Sequence, residues 1–196
     1  LRGMLSFGER RGMAIVSLVA FLLPLSGYLV FSMFPIYLDG LDIHWDATLV
    51  AGLFTALSAA TGIFAAGLAG RACDTHGRKW VLVGSGAAYI IVWGCMGLTT
   101  EPIAIAALWA VPVWSFFFVS TTAMASDLTG VRERGRGIGL VSSAINLGAA
   151  IGSMAAGYLL SRGAVDSTFF LAAGVAMTGM IVALMARETH LKKREN

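Results

Sequence analysis

Apolar and polar positions along this chain separate into long blocks and do not alternate at short period. Six runs without a charged residue follow one another, at 12–38, 49–70, 80–98, 103–126, 137–160 and 168–186. A helix of about 20 predominantly apolar residues crosses the hydrocarbon core of a bilayer. Each run is therefore expected to be a membrane-spanning helix. Barrel strands would show period-two alternation over about ten residues, and these runs do not. A backbone in lipid must also satisfy its own hydrogen bonds, which a helix does unaided. The expected fold is an all-α membrane protein, a six-transmembrane helical bundle over 12–186. A lead-in at 1–11 precedes it and a basic tail at 187–196 follows.

The connections at 39–48, 71–79, 99–102, 127–136 and 161–167 are too brief to hold a further domain, so any chemistry belongs inside the bundle or at its mouths. Their charges are distributed unevenly. Arg2, Arg10 and Arg11 precede the first span. Arg71, Arg78 and Lys79 follow the second, and Arg132, Arg134 and Arg136 follow the fourth. Arg187, Lys192, Lys193 and Arg194 follow the sixth, which leaves only Arg162 of the 14 basic residues on the other side. Basic residues mark cytoplasmic connections, so both termini are expected in the cytoplasm of a multi-pass cell-membrane protein. The acids split almost evenly, which fits a rule that counts only Lys and Arg.

Composition agrees with this picture. The chain is 57% hydrophobic and 13% charged, against about 25% charged in an average soluble domain. These values exclude a disordered segment, a nucleic-acid-binding domain and an ordinary soluble enzyme. The first run is about twice the 7–15-residue apolar core of a cleavable signal, so it is not expected to be one. Cys73 and Cys95 lie roughly 30 Å apart along a helix, beyond disulfide reach. No residue cluster suggests a metal or another cofactor, and none is expected. An intramembrane hydrolase built on Gly84-Ser85-Gly86 would need a positioned base. Every His lies outside the spans, so no enzyme is expected.

Small residues recur at four-residue spacing, the pattern that lets membrane helices approach closely. The fifth span carries two such ladders, Gly148, Gly152, Ala156 and Ala149, Ser153, Gly157. The second carries Gly62, Ala66 and Gly70. Pro24, Pro35 and Pro112 fall within spans, and each removes a backbone donor and tends to kink its helix.

The connection after the second span reads Gly70-Arg71-Ala72-Cys73-Asp74-Thr75-His76-Gly77-Arg78-Lys79. Gly77 suits a turn that needs positive φ. Asp74, the one acid among these basic residues, is placed to cap a helix amino terminus or to pair with Arg78. A plain basic connection would explain the Arg and Lys but not the Gly–Asp–Gly–Arg–Lys spacing. That spacing resembles the signature loop of the major facilitator superfamily. The family pattern is Gly, three residues, Asp, a basic residue, any residue, Gly, Arg, then Arg or Lys. Gly70, Asp74, Gly77, Arg78 and Lys79 match at their offsets, and Thr75 stands where the family has a basic residue.

The resemblance implies one six-helix half of a twelve-helix transporter, built as two inverted three-helix repeats. The carboxy-terminal half is favoured, because 187–196 looks like a chain end and 1–11 looks like a linker between halves. The segment 127–136 looks like the family's loop into a glycine-rich helix, but Gly152-Ser153 stands where the antiporter signature has Gly-Pro. The implied function is secondary transport of a small solute by alternating access. Asp74 and Arg78 would latch the cytoplasmic side. The implied partners are the lipid bilayer, the solute and the other six-helix half, in the same chain or a second copy, with no nucleic acid. The family surrounds its cavity with the first, second, fourth and fifth spans. Candidate cavity residues are Tyr28 and Ser32 on the first, Trp114, Phe118 and Thr121 on the fourth, and Ser142 and Asn146 on the fifth. Asn146 is the only amide side chain in a span. For Asn146 a bond between helices is the alternative to a cavity role, and for the aromatics plain packing is the favoured reading. The other readings are a non-transporting scaffold and a channel-like protein, although the paired Asn-Pro-Ala loops of water channels are absent.

Overall fold

The structure is a computed structural model that describes residues 7–41, 46–131 and 133–189. Arg2, His44, Arg132, His190 and the tail residues Lys192, Lys193 and Arg194 lie outside the described residues. The chain forms α1 (Phe7–Phe31), α2 (Phe34–Asp39), α3 (Ala47–His76), α4 (Arg78–Met96), α5 (Pro102–Trp109), α6 (Val113–Leu128), α7 (Arg134–Ser161) and α8 (Val165–Leu184). The described residues contain no strand. Helices α1 and α2 together make the first span and α5 and α6 the fourth, so 6 spans are long and apolar enough to cross a membrane.

Two of the three prolines account for the two interruptions. Pro35 cannot donate to the carbonyl four residues back, so the chain tightens at Met33, whose N–H donates to Val30 O at 3.1 Å, and restarts as α2. Pro112 acts likewise in the fourth span. Val111 N–H donates to Leu108 O at 3.2 Å, Val113 N–H donates to Val111 O at 2.8 Å, and α6 begins only then. Pro24 is absorbed within α1.

The segment 71–79, expected as a loop, is helical except at Gly77. Helix α3 continues to His76 because its hydrogen bonding does not depend on lipid. At about 1.5 Å per residue its last turns outrun a hydrocarbon core of about 30 Å.

Glycine ladders set the helix packing. A Cβ on Gly148 would strike the carbonyl oxygen of Phe21, and one on Gly152 would lie 2.5 Å from that of Leu25. The backbones of α7 and α1 therefore meet directly along Gly148, Gly152 and Ala156, all three buried. Gly86 seats α4 against Met180 of α8, and Gly179 seats α8 against Leu23 of α1. The core between them is built from Val16, Val19, Leu23, Leu82, Phe117, Met124, Phe169 and Ala172. The ladder on α3 behaves differently. Gly62 touches Ser115, but nothing lies within 4 Å of a Cβ on Gly70. Helix α3 instead exposes Leu49, Leu53, Leu57, Phe64 and Leu68 along one stripe.

Candidate functional site

The break in the fourth span opens onto a cavity of about 530 Å³. Tyr28 and Phe31 of α1 form one wall, and Thr55, Ser58, Ala59, Gly62 and Ile63 of α3 another. Tyr89, Val92 and Trp93 of α4 close the back. Leu108, Trp109, Val111, Pro112, Val113, Trp114 and Ser115 bring the interrupted backbone itself to the surface. Non-helical backbone at membrane depth is tolerated where it lines such a space.

Aromatic rings dominate these walls. Trp109 stacks on Phe34 at 3.6 Å and on Phe31 at 5.6 Å, so the two interrupted spans meet ring to ring at their breaks. Trp93 lies 5.7 Å from Tyr89 and 6.3 Å from Trp109. Its indole N–H donates to Ser26 Oγ at 3.1 Å, and Ser26 in turn donates to the Ala172 carbonyl at 2.9 Å. Ser26 is fully buried. One hydroxyl thus ties the first, third and sixth spans together and fixes the back-wall indole. Thr55 donates to Ala51 O, and Ser115 donates to Gly62 O. Among the described residues, no Asp, Glu, His, Lys or Arg lines the cavity.

Of the seven candidate cavity residues, Tyr28 and Trp114 line this space. Ser32 donates to Ser153 Oγ of α7 at 2.8 Å. Phe118 is exposed and stacks on Trp114 at 6.2 Å. Thr121 is fully buried and donates to Phe117 O at 2.6 Å, within its own helix. Ser142 is half-buried and Asn146 is exposed on α7, away from the cavity. Sequence reasoning missed the back wall, Tyr89 and Trp93. The signal was there, since the two rings are four residues apart and share a helix face.

The charged end of the bundle holds the second cluster. Gly77 has φ 92° and ψ 147°, a region that side-chain-bearing residues avoid. It joins α3 to α4 alone. A Cβ there would lie 2.5 Å from Glu188 Oε2. Glu188, just past α8, accepts the first free donors of α4, Arg78 N–H and Lys79 N–H, each at 3.1 Å. A carboxylate at that terminus is favoured by both hydrogen bonding and the helix dipole. The Arg78 side chain turns to α6, donates to Ala123 O at 2.8 Å and pairs with Asp127.

Both roles expected of Asp74 are therefore filled by other acids, the cap by Glu188 and the Arg78 ion pair by Asp127. The reason is geometric. Asp74 rides the exposed last turn of an unbroken α3, while Gly77 reverses the chain and aims Arg78 at α6. No ion pair reaches Asp74 among the described residues. Lys79 lies over the exposed Trp80 ring at 5.4 Å. Gly70 is half-buried, with open space where a Cβ would stand. Cys73 and Cys95 are both free.

Six apolar spans packed through glycine ladders, two of them interrupted beside an uncharged cavity, define a multi-pass helical membrane protein. The chain belongs to the Major Facilitator Superfamily, whose sequence profile it matches over residues 16–196. Multidrug resistance protein 1 of Bacillus subtilis (strain 168) is 29% identical over 160 residues, 79% of this chain and 40% of that protein. The human organic anion transporter MFSD10 (TETRAN) superposes with a TM-score of 0.77 at 21% identity, over 92% of this chain and 48% of that one. A POT family transporter in complex with 5-aminolevulinic acid gives 0.76 at 18% identity, over 89% of this chain and 38% of that one. The chain thus spans less than half the length of each of these proteins. At these identities the two structures share its fold.

Proposed function

We propose that these six spans form one half of a secondary transporter that moves a small solute across the cell membrane by alternating access. The observation that carries this reading is the aromatic cavity between the first, second and fourth spans, backed by the third. It is concave, apolar and punctuated by a few hydroxyls, as small-molecule sites are. Its position beside two interrupted helices is the arrangement secondary transporters use for substrate. The name of the Bacillus relative refers to multidrug resistance, and an uncharged wall of rings suits a broad class of apolar compounds.

The other half, from the same chain or a second copy, would close the cavity. The exposed Asn146 on α7 would face it. The distribution of Arg and Lys supports a cytoplasmic position for both termini and the Gly77 turn. There Gly70, Asp74, Gly77, Arg78 and Lys79 act as the conformational latch, with Asp127 and Glu188 anchoring it within this half. The exposed Asp74 is left to contact the other half. Filling the cavity tests the reading. Full-length protein carrying Ala59→Trp, reconstituted in liposomes, is expected to lose flux across a panel of neutral, cationic and anionic aromatic solutes while keeping its melting temperature. Undiminished flux would show that the cavity is not on the transport path.

A further inference from the structure

Tyr89 is 5% exposed, yet no described residue hydrogen-bonds its hydroxyl. Buried tyrosine hydroxyls usually find a partner, and leaving one unpaired is costly. Tyr89 lines the cavity, and its oxygen is not among the side-chain atoms sealed from solvent without a partner. The hydroxyl therefore opens on the cavity. The Trp93 N–H is engaged by Ser26, and the hydroxyls of Thr55 and Ser115 donate to backbone carbonyls. The Tyr28 and Ser58 hydroxyls also line the space with no hydrogen-bond partner among the described residues, but both residues are half-buried, so Tyr89 is the buried donor.

We propose that the solute is an uncharged aromatic molecule carrying one hydrogen-bond acceptor, with its rings against Trp93 and Trp109 and its acceptor bound to the Tyr89 hydroxyl. This rests on the cavity being the transport site. The missing partner of a buried O–H donor is an acceptor, and the rings that surround it take a flat aromatic body by offset stacking or edge contacts. Because no acid or base among the described residues lines the space, a net charge would be desolvated without a counter-charge from them. A quaternary cation would suit the ring faces but would leave the Tyr89 O–H without an acceptor.

The test is equilibrium binding to the full-length protein in nanodiscs, corrected with empty nanodiscs. The probes are naphthalene, 2-methoxynaphthalene, 2-naphthol and 2-naphthyltrimethylammonium. Wild type is expected to bind the methoxy and hydroxy compounds about tenfold more tightly than naphthalene, the upper range for one net hydrogen bond. Tyr89→Phe should bring that ratio to about one while leaving naphthalene binding unchanged. The idea fails if 2-methoxynaphthalene binds no better than naphthalene in wild type, an outcome that needs no variant. It fails equally if the ammonium compound binds most tightly, or if the preference survives in Tyr89→Phe. Loss of flux in Ala59→Trp alongside any of these results would leave the cavity in place as the transport site and remove only this solute class.

Discussion

Gly77 occupies a backbone conformation that costs other residues about 1–3 kcal/mol, and the carboxylate of Glu188 stands where its side chain would be. Gly77→Ala should therefore strain the turn and push away the cap on α4 together. A loss of roughly 2–4 kcal/mol is expected from the strain and the displaced cap, read as a lower melting temperature by circular dichroism in detergent. An unchanged melting temperature would mean that the turn relaxes freely. The need for glycine at 77 was legible from spacing alone. The acids that serve the turn were not. Asp127 and Glu188 lie 49 and 110 residues beyond Arg78, and only the packing of α6 and α8 brings them to it. Asp74 was the nearer acid in sequence, but an unbroken helix carries it to the exposed side.

At the scale of the helices, charge-free runs located all six spans, because lipid excludes charge along a helix's whole buried length. They could not locate helix ends, since helices α3 and α7 extend into charged sequence. Proline positions were legible too, but not which of them would break a helix. Pro24 is held inside α1, while the other two open the breaks that shape the cavity. The glycine ladders carry a paired prediction. Gly148→Val drives a side chain into the α1 backbone, whereas a Cβ on Gly157 meets nothing within 4 Å, so Gly157→Val has room. Overpacking of this kind costs about 1–3 kcal/mol or more. The first variant should unfold at a lower temperature and elute as aggregate in size-exclusion chromatography, and the second should behave as wild type. Equal behaviour would contradict the close approach of α1 and α7.

For the molecule as a whole, the six-helix bundle and its expected orientation followed from where charge is absent and where Arg and Lys collect. The cavity was half legible. Tyr28 and Trp114 lie on spans that the family resemblance singles out. The back wall sits on a third span that the same resemblance sets aside, so Tyr89 and Trp93 went unnamed. Asn146 and Asp74 are exposed on these six spans, which fits a role against the proposed second half better than one inside the bundle. Asp74→Asn should lower solute flux at least tenfold in the reconstituted full-length protein while insertion and melting temperature stay unchanged, because it breaks no ion pair among the described residues. A tenfold loss corresponds to about 1.4 kcal/mol between conformations. Flux at the wild-type level would remove Asp74 from the latch.

The one-residue connection at Gly77 has a mechanical meaning as well. A long loop stores slack, so the helices it joins can slide past each other before either one pulls. A single residue stores almost none, because consecutive Cα atoms are fixed about 3.8 Å apart. The second and third spans therefore share one charged tip, and a displacement of that tip moves both. The third span carries Tyr89 and Trp93, so a single residue joins the end of the second span to the helix that forms the back wall of the cavity.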